Sequence, residues 1–354
     1  MLPMVQLHER EAIAEELERK SYVVLTLDVN DNSIINEQEF RVLDRWEHEI
    51  IEKFNLPNEV KNSIPYQSVN GVMLGYRKDD QREFFETHID ENGVVSPLFL
   101  ASESKFDFIN TLFSLLNKVS TLVLCSVASY IGLDPKSLLH LSDCNEEFMT
   151  KLLNNEIDGK LVLPSIAPNE LSSSLIRFCC YPKDDDSSIN FKKVSFDAHT
   201  DSSFLTIGIC ASNPGLEIID RQLQQWIPVE KILHESSSNR YQIVVFVGEY
   251  LQVLTKGRYE AAAHRVCDSE TTKTRFSCPY IMRGRSKAVI DIHSNQTYNH
   301  AGNFIKEAIA DFDGINMKLL HNILDRKRLK CVEEHENSSD EWILSAYPMN
   351  VPTA

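Results

Sequence analysis

Apolar residues recur at two different spacings along this chain. In the first half the spacing is helical. Arg10–Lys20 carries Ala12, Ile13, Ala14 and Leu17 among charges, which predicts a surface helix. Glu37–Phe54 has Phe40, Leu43, Trp46, Ile50, Ile51 and Phe54 on one side, and Phe106–Gly132 reads as a long central helix. Its most apolar part, Phe113–Leu133, is broken by Asn117 and Lys118, which fits a buried amphipathic helix better than a membrane span. Asp134-Pro135-Lys136-Ser137 has the N-cap and first-turn residues of a further short helix. Tyr22–Leu27, β-branched and aromatic, is the strand expected in this half.

From Leu175 the texture changes. Ile176–Tyr181, Ser203–Ile209, Leu216–Ile219, Gln242–Val247, Ala261–Val266, Phe276–Met282 and Ala288–Ile292 are short strand candidates separated by turn residues. That rhythm predicts an antiparallel sandwich or jelly roll. Beyond Ser294 the helical pattern returns in Phe304–Phe312 and Met317–Leu329, before an acidic stretch from Glu333 to Glu341. Polar stretches at Glu156–Ser174 and Lys183–Ser195 read as loops flanking one strand, positions that suit a lid. The expected fold is therefore α+β. A mainly helical region over 1–170 packs on a jelly-roll core over 171–295, and C-terminal helices and a tail fill 296–354.

Composition narrows the function. With 354 residues and 42% hydrophobic content the chain can bury a sizeable core. A formal charge of −16 argues against a nucleic-acid binder and against anionic membranes, so any anionic ligand must be met by locally placed Arg or Lys. Eight cysteines without a C-x-x-C pair read as reduced thiols. The first twenty residues lack an apolar core for a secretory signal, so a cytoplasmic location is expected and two N-glycosylation sequons are read as unused.

The most informative residues are His199-Thr200-Asp201, followed far downstream by His264 and then Arg275-Phe276-Ser277. In an extended strand, residues two apart face the same side, so His199 and Asp201 would project toward one point. Two imidazoles and a carboxylate cover one face of a metal and leave the other open, the arrangement of non-haem Fe(II) oxygenases. Each residue alone would be read as an ordinary core or surface group; the ordered set is what carries weight. Arg275 and Ser277 offer a planar fork and a hydroxyl to a carboxylate.

These motifs resemble the plant-type 2-oxoglutarate- and iron-dependent dioxygenases, in the superfamily that also contains isopenicillin N synthase. The resemblance extends through Val253–Tyr259, His264-Arg265-Val266, Trp226–Val229 and Arg177–Tyr181 with Pro182. In the first half it rests on Gly75-Tyr76 and Arg82-Glu83-Phe84-Phe85. It implies a double-stranded β-helix core, Fe(II) on His199, Asp201 and His264, and 2-oxoglutarate anchored by Arg275 and Ser277, with Tyr181 as a further donor. It also implies O2 as oxidant, ascorbate as an aid to turnover in vitro, and a small-molecule substrate that is hydroxylated, desaturated or cyclised in specialised metabolism. A monomer is expected, with no nucleic-acid or membrane partner. The chain departs from the family pattern through an insertion near His234–Arg240 and a longer, acidic loop between Tyr181 and His199. Three alternatives stay open: an oxidase of the same fold that uses no 2-oxoglutarate, a silent binding protein, and a zinc hydrolase. Met73, Leu74 and Tyr76 are candidates for the substrate pocket, and Arg82, Arg177 and Arg283 for binding an anionic substrate.

Overall fold

A computed structural model describes residues 2–28, 34–69, 72–80, 82–95, 103–136, 138–143, 145–154, 156, 162–182, 194–220, 222–223, 225–236, 241–267, 273–290 and 315–324. In the first half, β1 (Met4–Gln6), α1 (Arg10–Lys20) and β2 (Tyr22–Thr26) lead to α2 (Glu37–Phe54) and α3 (Asn58–Asn62). Four strands follow: β3 (Gln67–Val69), β4 (Val72–Lys78), β5 (Glu83–Asp90) and β6 (Gly93–Val95). Then come α4 (Glu103–Tyr130) and α5 (Glu146–Asn154).

The second half opens with β7 (Leu175–Tyr181), β8 (Val194–His199), β9 (Leu205–Ile209), β10 (Leu216–Asp220) and β11 (Gln225–Pro228). It continues through α6 (Val229–Ser236), β12 (Gln242–Val247) and α7 (Glu249–Leu254). The last strands are β13 (His264–Cys267), β14 (Arg275–Ser277) and β15 (Pro279–Met282).

The strands form two sheets. The larger has eleven strands and runs β1-β2-β12-β9-β15-β7-β5-β4-β3, with β14 on β7 and β6 on β5; the smaller runs β11-β10-β13-β8. Their period-2 patterning assigns the two faces of the large sheet. Val23 and Leu25, Ile176 and Phe178, Leu205 and Ile207, Ile243 and Val245, and Tyr280 and Met282 belong to the core under the helices. The alternate residues turn the other way. Tyr22, Val24, Val244 and Phe246 meet Leu216 and Ile218 of the small sheet, while Arg177, Tyr181, Thr206, Gly208 and Ile281 face a cavity between the sheets. The jelly-roll core expected from the strand rhythm is thus present as two facing sheets.

Helix α4 lies under the large sheet. It is long and apolar enough to cross a membrane by length and composition, and 94% of its most apolar window is buried inside the protein. The two polar residues that interrupt its pattern are both engaged. Asn117 accepts a hydrogen bond from the Tyr280 hydroxyl at 3.3 Å. Lys118, fully buried, pairs with the equally buried Glu39 at 2.9 Å. Glu39 also closes a capping box with Asn36 at the start of α2, so one carboxylate links the entry of α2 to the middle of α4.

Several expectations need correction. The first half supplies six strands to the large sheet, not one, because the short segments between Gln67 and Val95 extend the ladder that Glu83 to Thr87 form with β7. Asp134-Pro135 opens no α-helix. The Asp134 carboxylate accepts the Lys136 N–H at 2.7 Å in a turn, and a 3-10 turn follows at Leu139–Leu141. Phe276–Met282 breaks into β14 and β15 at Cys278, and Val289 makes only an isolated bridge to Asn316. Strand β8 begins inside the stretch read as polar loop, whose residues 183–193 lie outside the described ones. Residues 317–324 are helical as expected, whereas Phe304–Phe312 lies outside the described residues. The six described cysteines are free thiols.

Candidate active site

Antiparallel pairing of β8 with β13 sets His199 directly opposite His264. Their rings stand 4.2 Å apart between centroids. Each Nδ1 is bonded to a backbone carbonyl two residues back, His199 to Asp197 at 2.8 Å and His264 to Ala262 at 3.2 Å. A carbonyl only accepts, so both Nδ1 atoms carry a proton and both Nε2 atoms are turned toward another partner. What they face is Asp201. His199 Nε2 lies 3.7 Å from Oδ1, and His264 Nε2 lies 3.8 Å from Oδ2.

Asp201 does not reach this point as part of a strand, as the sequence suggested, because β8 ends at His199. It sits in the turn that follows, where its carbonyl accepts the N–H groups of Ser203 and Glu249 at 3.0 and 2.9 Å. Glu249, buried at the start of α7, fixes both neighbours. It accepts the Thr200 hydroxyl at 2.7 Å and the Ser202 hydroxyl at 2.6 Å. The turn packs so closely on α7 that a Cβ at Gly248 would meet the Ser203 carbonyl at 2.2 Å. Thr206 donates its hydroxyl to Asp201 Oδ2 at 2.6 Å.

The donor set fits a divalent transition metal. Its ligand atoms all lie within 4.8 Å of one another, and among the described residues no other such group of His, Cys, Asp or Glu occurs. Ligands about 2.1 Å from a shared ion stand roughly 3–3.4 Å apart, so the gaps seen need only a small inward shift. The protonation states suit a cation as well. Burial, and then the neighbouring His264, depress the His199 imidazolium, so the ring is neutral. Burial acts to raise the Asp201 carboxyl, but the two imidazoles, His264 foremost, and the Thr206 hydroxyl outweigh it and keep it ionised. Side-chain exposures of 23% for His199 and 13% for Asp201 show that the cluster opens on one side, toward the cavity.

That cavity is closed opposite the triad by the large sheet. Pairing of β14 with β7 places Arg275 opposite Tyr181 and Ser277 opposite Cys179, so these side chains share the cavity face. The sequence-predicted Arg275, Ser277 and Tyr181 are therefore brought together with the triad around one space. Tyr181 and Ser277 are within hydrogen-bonding reach, and burial, followed by Cys179, pushes the Tyr181 phenol up to about 12, so it is a neutral donor.

Sequence reasoning missed Glu230. It is buried in the first turn of α6, the element that occupies the start of the expected insertion. Its carboxylate pairs with Arg275 at 3.0 Å and accepts the N–H groups of Ala211, Gly215 and Leu216 at 3.1, 2.8 and 2.9 Å. Arg275 also donates to the Asn213 carbonyl at 2.8 Å, which leaves its buried Nε without a partner. Gly215 makes room for it, since a Cβ there would lie 2.8 Å from Arg275 Cδ.

Other expected candidates fall elsewhere. Tyr76 packs on Phe85 and bonds to Glu83, Leu74 is buried, and Met73 is exposed; none lines the cavity.

Comparison with known proteins agrees with this geometry. The family model for the 2OG-Fe(II) oxygenase superfamily matches residues 172–284. Flavanone 3-dioxygenase 3 of Oryza sativa subsp. japonica is 27% identical over 158 residues, which cover 42% of this chain and 45% of the relative. The 2-oxoglutarate-dependent dioxygenase ecdG of Aspergillus rugulosus is 32% identical over 146 residues, 40% of each chain. The matched segments thus span less than half the length of these relatives. Similar solved structures extend the likeness in fold. A full-length Neurospora crassa protein solved in complex with alpha-KG superposes with a TM-score of 0.61 at 18% identity, covering 92% of this chain and 96% of that one. The dioxygenase for auxin oxidation 1 from Arabidopsis thaliana, in its 2-oxoglutarate complex, gives 0.54 at 17% identity, covering 80% and 93%. With the strand pairing, the triad and the facing Arg275 already in place, residues 172–284 of this chain are a 2OG-Fe(II) oxygenase superfamily domain.

Proposed function

We propose that this protein is an Fe(II)- and 2-oxoglutarate-dependent oxygenase acting on a small organic metabolite. The observation that carries the proposal is the pairing of two sheets across one cavity, with three metal-type ligands on one wall and Arg275, Ser277 and Tyr181 on the other. In this reading His199, Asp201 and His264 hold the iron, and Arg275, Ser277 and Tyr181 bind the distal carboxylate of 2-oxoglutarate. Iron and co-substrate together supply the oxidant for a substrate C–H bond, with O2 consumed and succinate and CO2 released.

The chain's own residues prepare that chemistry. Asp197 and Ala262 carbonyls fix the imidazole tautomers, Thr206 orients the Asp201 carboxylate, and Glu249 holds the turn that carries it. Phe196 against His199 and Phe246 against His264 shield the ligands from water. The relatives named for flavanone and gibberellin oxidation support a small metabolite as substrate.

Incubation with Fe(II), ascorbate, O2 and 2-oxoglutarate across a metabolite panel tests the proposal. Substrate-dependent succinate, formed in step with oxidised product, is the expected result. Absence of both iron binding and 2-oxoglutarate turnover overturns it. One observation favours a second reading: Glu230 already neutralises Arg275, as would suit an oxidase that needs no 2-oxoglutarate. Product formation without succinate would decide for that alternative.

A further inference from the structure

Three guanidinium groups line the cavity, and they are not equivalent. Arg275 is paired with Glu230. Arg177 is bonded through Nε and Nη2 to Glu86. Arg82 has no comparable partner among the described residues. Its nearest carboxylate oxygen, on the partly exposed Asp79, lies 3.9 Å from Nε, too far for a hydrogen bond. Nη1 reaches only the Cys179 sulfur at 3.8 Å, and Nε is buried without a hydrogen bond. Yet the residue is only 8% exposed. A guanidinium removed from water to this extent calls for an anion or several acceptors.

Its position is defined on both sides. Arg82 immediately precedes β5, whose Glu83 lies opposite Cys180 of β7. One residue further along that ladder, Arg82 falls opposite Tyr181, as Arg275 does from the other side. The three form a row across the cavity face, with Tyr181 between two cations. The Arg82 guanidinium is stacked on Phe196 at 3.6 Å from the ring centroid, and Phe196 packs edge-on against His199 at 4.6 Å. Its charge acts on both His199 and Tyr181. Stacking fixes the plane of the fork and covers one face, leaving the in-plane N–H donors for a ligand.

We propose that Arg82 is the specificity-determining contact for the primary substrate, and that this substrate is a small molecule bearing a carboxylate. This rests on the oxygenase reading, in which Arg275 serves the co-substrate and Arg82 is left for the molecule to be oxidised. A planar carboxylate matches the free edge of the guanidinium, and a neutral amide of the same shape leaves it uncompensated.

Matched pairs of acid and primary amide test this: benzoate and benzamide, phenylacetate and phenylacetamide, 4-hydroxycinnamate and its amide. Binding is read by thermal shift and calorimetry on the full chain, both metal-free and loaded anaerobically with Fe(II) and 2-oxoglutarate. In the wild type at least one acid is expected to bind about tenfold or more tightly than its amide. Arg82→Gln abolishes that preference, and Arg82→Lys restores part of it. Affinity for 2-oxoglutarate is expected to stay within about threefold in both variants. Equal binding of acid and amide by the wild type in every pair overturns the proposal, as does a preference that survives in Arg82→Gln. If Arg82→Gln does not fold, Arg82→Lys carries the test, since an undiminished preference with a monodentate cation contradicts a role for the fork. An acid preference found in Fe(II)-loaded wild type that binds no 2-oxoglutarate would count against the oxygenase reading alone.

Discussion

On the small sheet, His199 and His264 present Nε2 atoms to the cavity with Asp201 before them, whereas on the large sheet Arg177 and Arg275 are each tied to a buried carboxylate. The two walls differ because their charges have different desolvation costs. A neutral imidazole tolerates burial with one lone pair unused, so a metal wall can be built ahead of its metal. A guanidinium cannot be left dry without compensation, so an anion-binding wall is assembled with resident acids. Glu86 and Glu230 are those acids. The contrast implies that a carboxylate ligand at Arg275 must share it with Glu230, while Arg82 is the cation without such a resident acid among the described residues.

The largest expected effect comes from breaking the metal wall. Asp201→Ala removes the carboxylate that faces the two imidazoles. Since losing a residue that merely orients a ligand costs about 10–100-fold in metal affinity or activity, losing the ligand should exceed that. Fe(II) binding by calorimetry and 2-oxoglutarate turnover should both fall more than about 100-fold. Full activity in this variant would remove Asp201 from the site.

Breaking the acid on the other wall should be felt in stability. Glu230→Ala leaves Arg275 buried without its pair and three N–H groups without their acceptor. The expected loss is about 3–5 kcal/mol in denaturant unfolding. A change no larger than that of a surface substitution would show that Glu230 does not organise this wall.

A buried acid with no cation bonded to it among the described residues sharpens the comparison. Asp143 accepts the Ser173 and Ser174 N–H groups on one oxygen, and burial pushes its carboxyl up to about 6. Asp201, also enclosed but facing two imidazoles, is shifted the opposite way. Because the folded-state value of Asp143 lies above the unfolded one, the folded protein holds this proton more tightly between them. Its stabilising contribution is therefore full below about pH 4 and is lost as pH rises through about 6. Asp143→Asn mimics the protonated form and keeps an oxygen for the two N–H groups. Relative to the wild type it should gain on the order of 2–3 kcal/mol between pH 4 and pH 7, measured by unfolding across that range. A pH-independent difference would place the carboxyl near its ordinary value.

Much of the site was legible in the sequence because its parts are local. His199-Thr200-Asp201 and Arg275-Phe276-Ser277 each announce a chemistry within three residues. Tyr181 could be attached to them because strands long enough to recognise carry it. The remainder depends on convergence. Glu230 looks like any acid opening an amphipathic helix, and its role exists only where N–H groups from Ala211 to Leu216 meet Arg275. Arg82 is one of three arginines that the sequence offers to an anionic substrate, and the β5–β7 register that brings it beside Tyr181 is what sets it apart. The strands between Gln67 and Val95 carry little periodic signal and are held by the sheet they extend. Strand β8 was hidden for another reason: only a short alternation, Val194, Phe196 and Ala198, separates the acidic loop from the ligand.

The two walls are held to act on one co-substrate, and anaerobic calorimetric titration of 2-oxoglutarate into the Fe(II)-loaded protein tests this most directly. One 2-oxoglutarate per chain is expected, bound only when iron is present. Its affinity should be about 10- to 100-fold weaker in Arg275→Leu, as expected for losing a charge-assisted fork. No binding to the iron-loaded wild type, or equal affinity in wild type and Arg275→Leu, would contradict it.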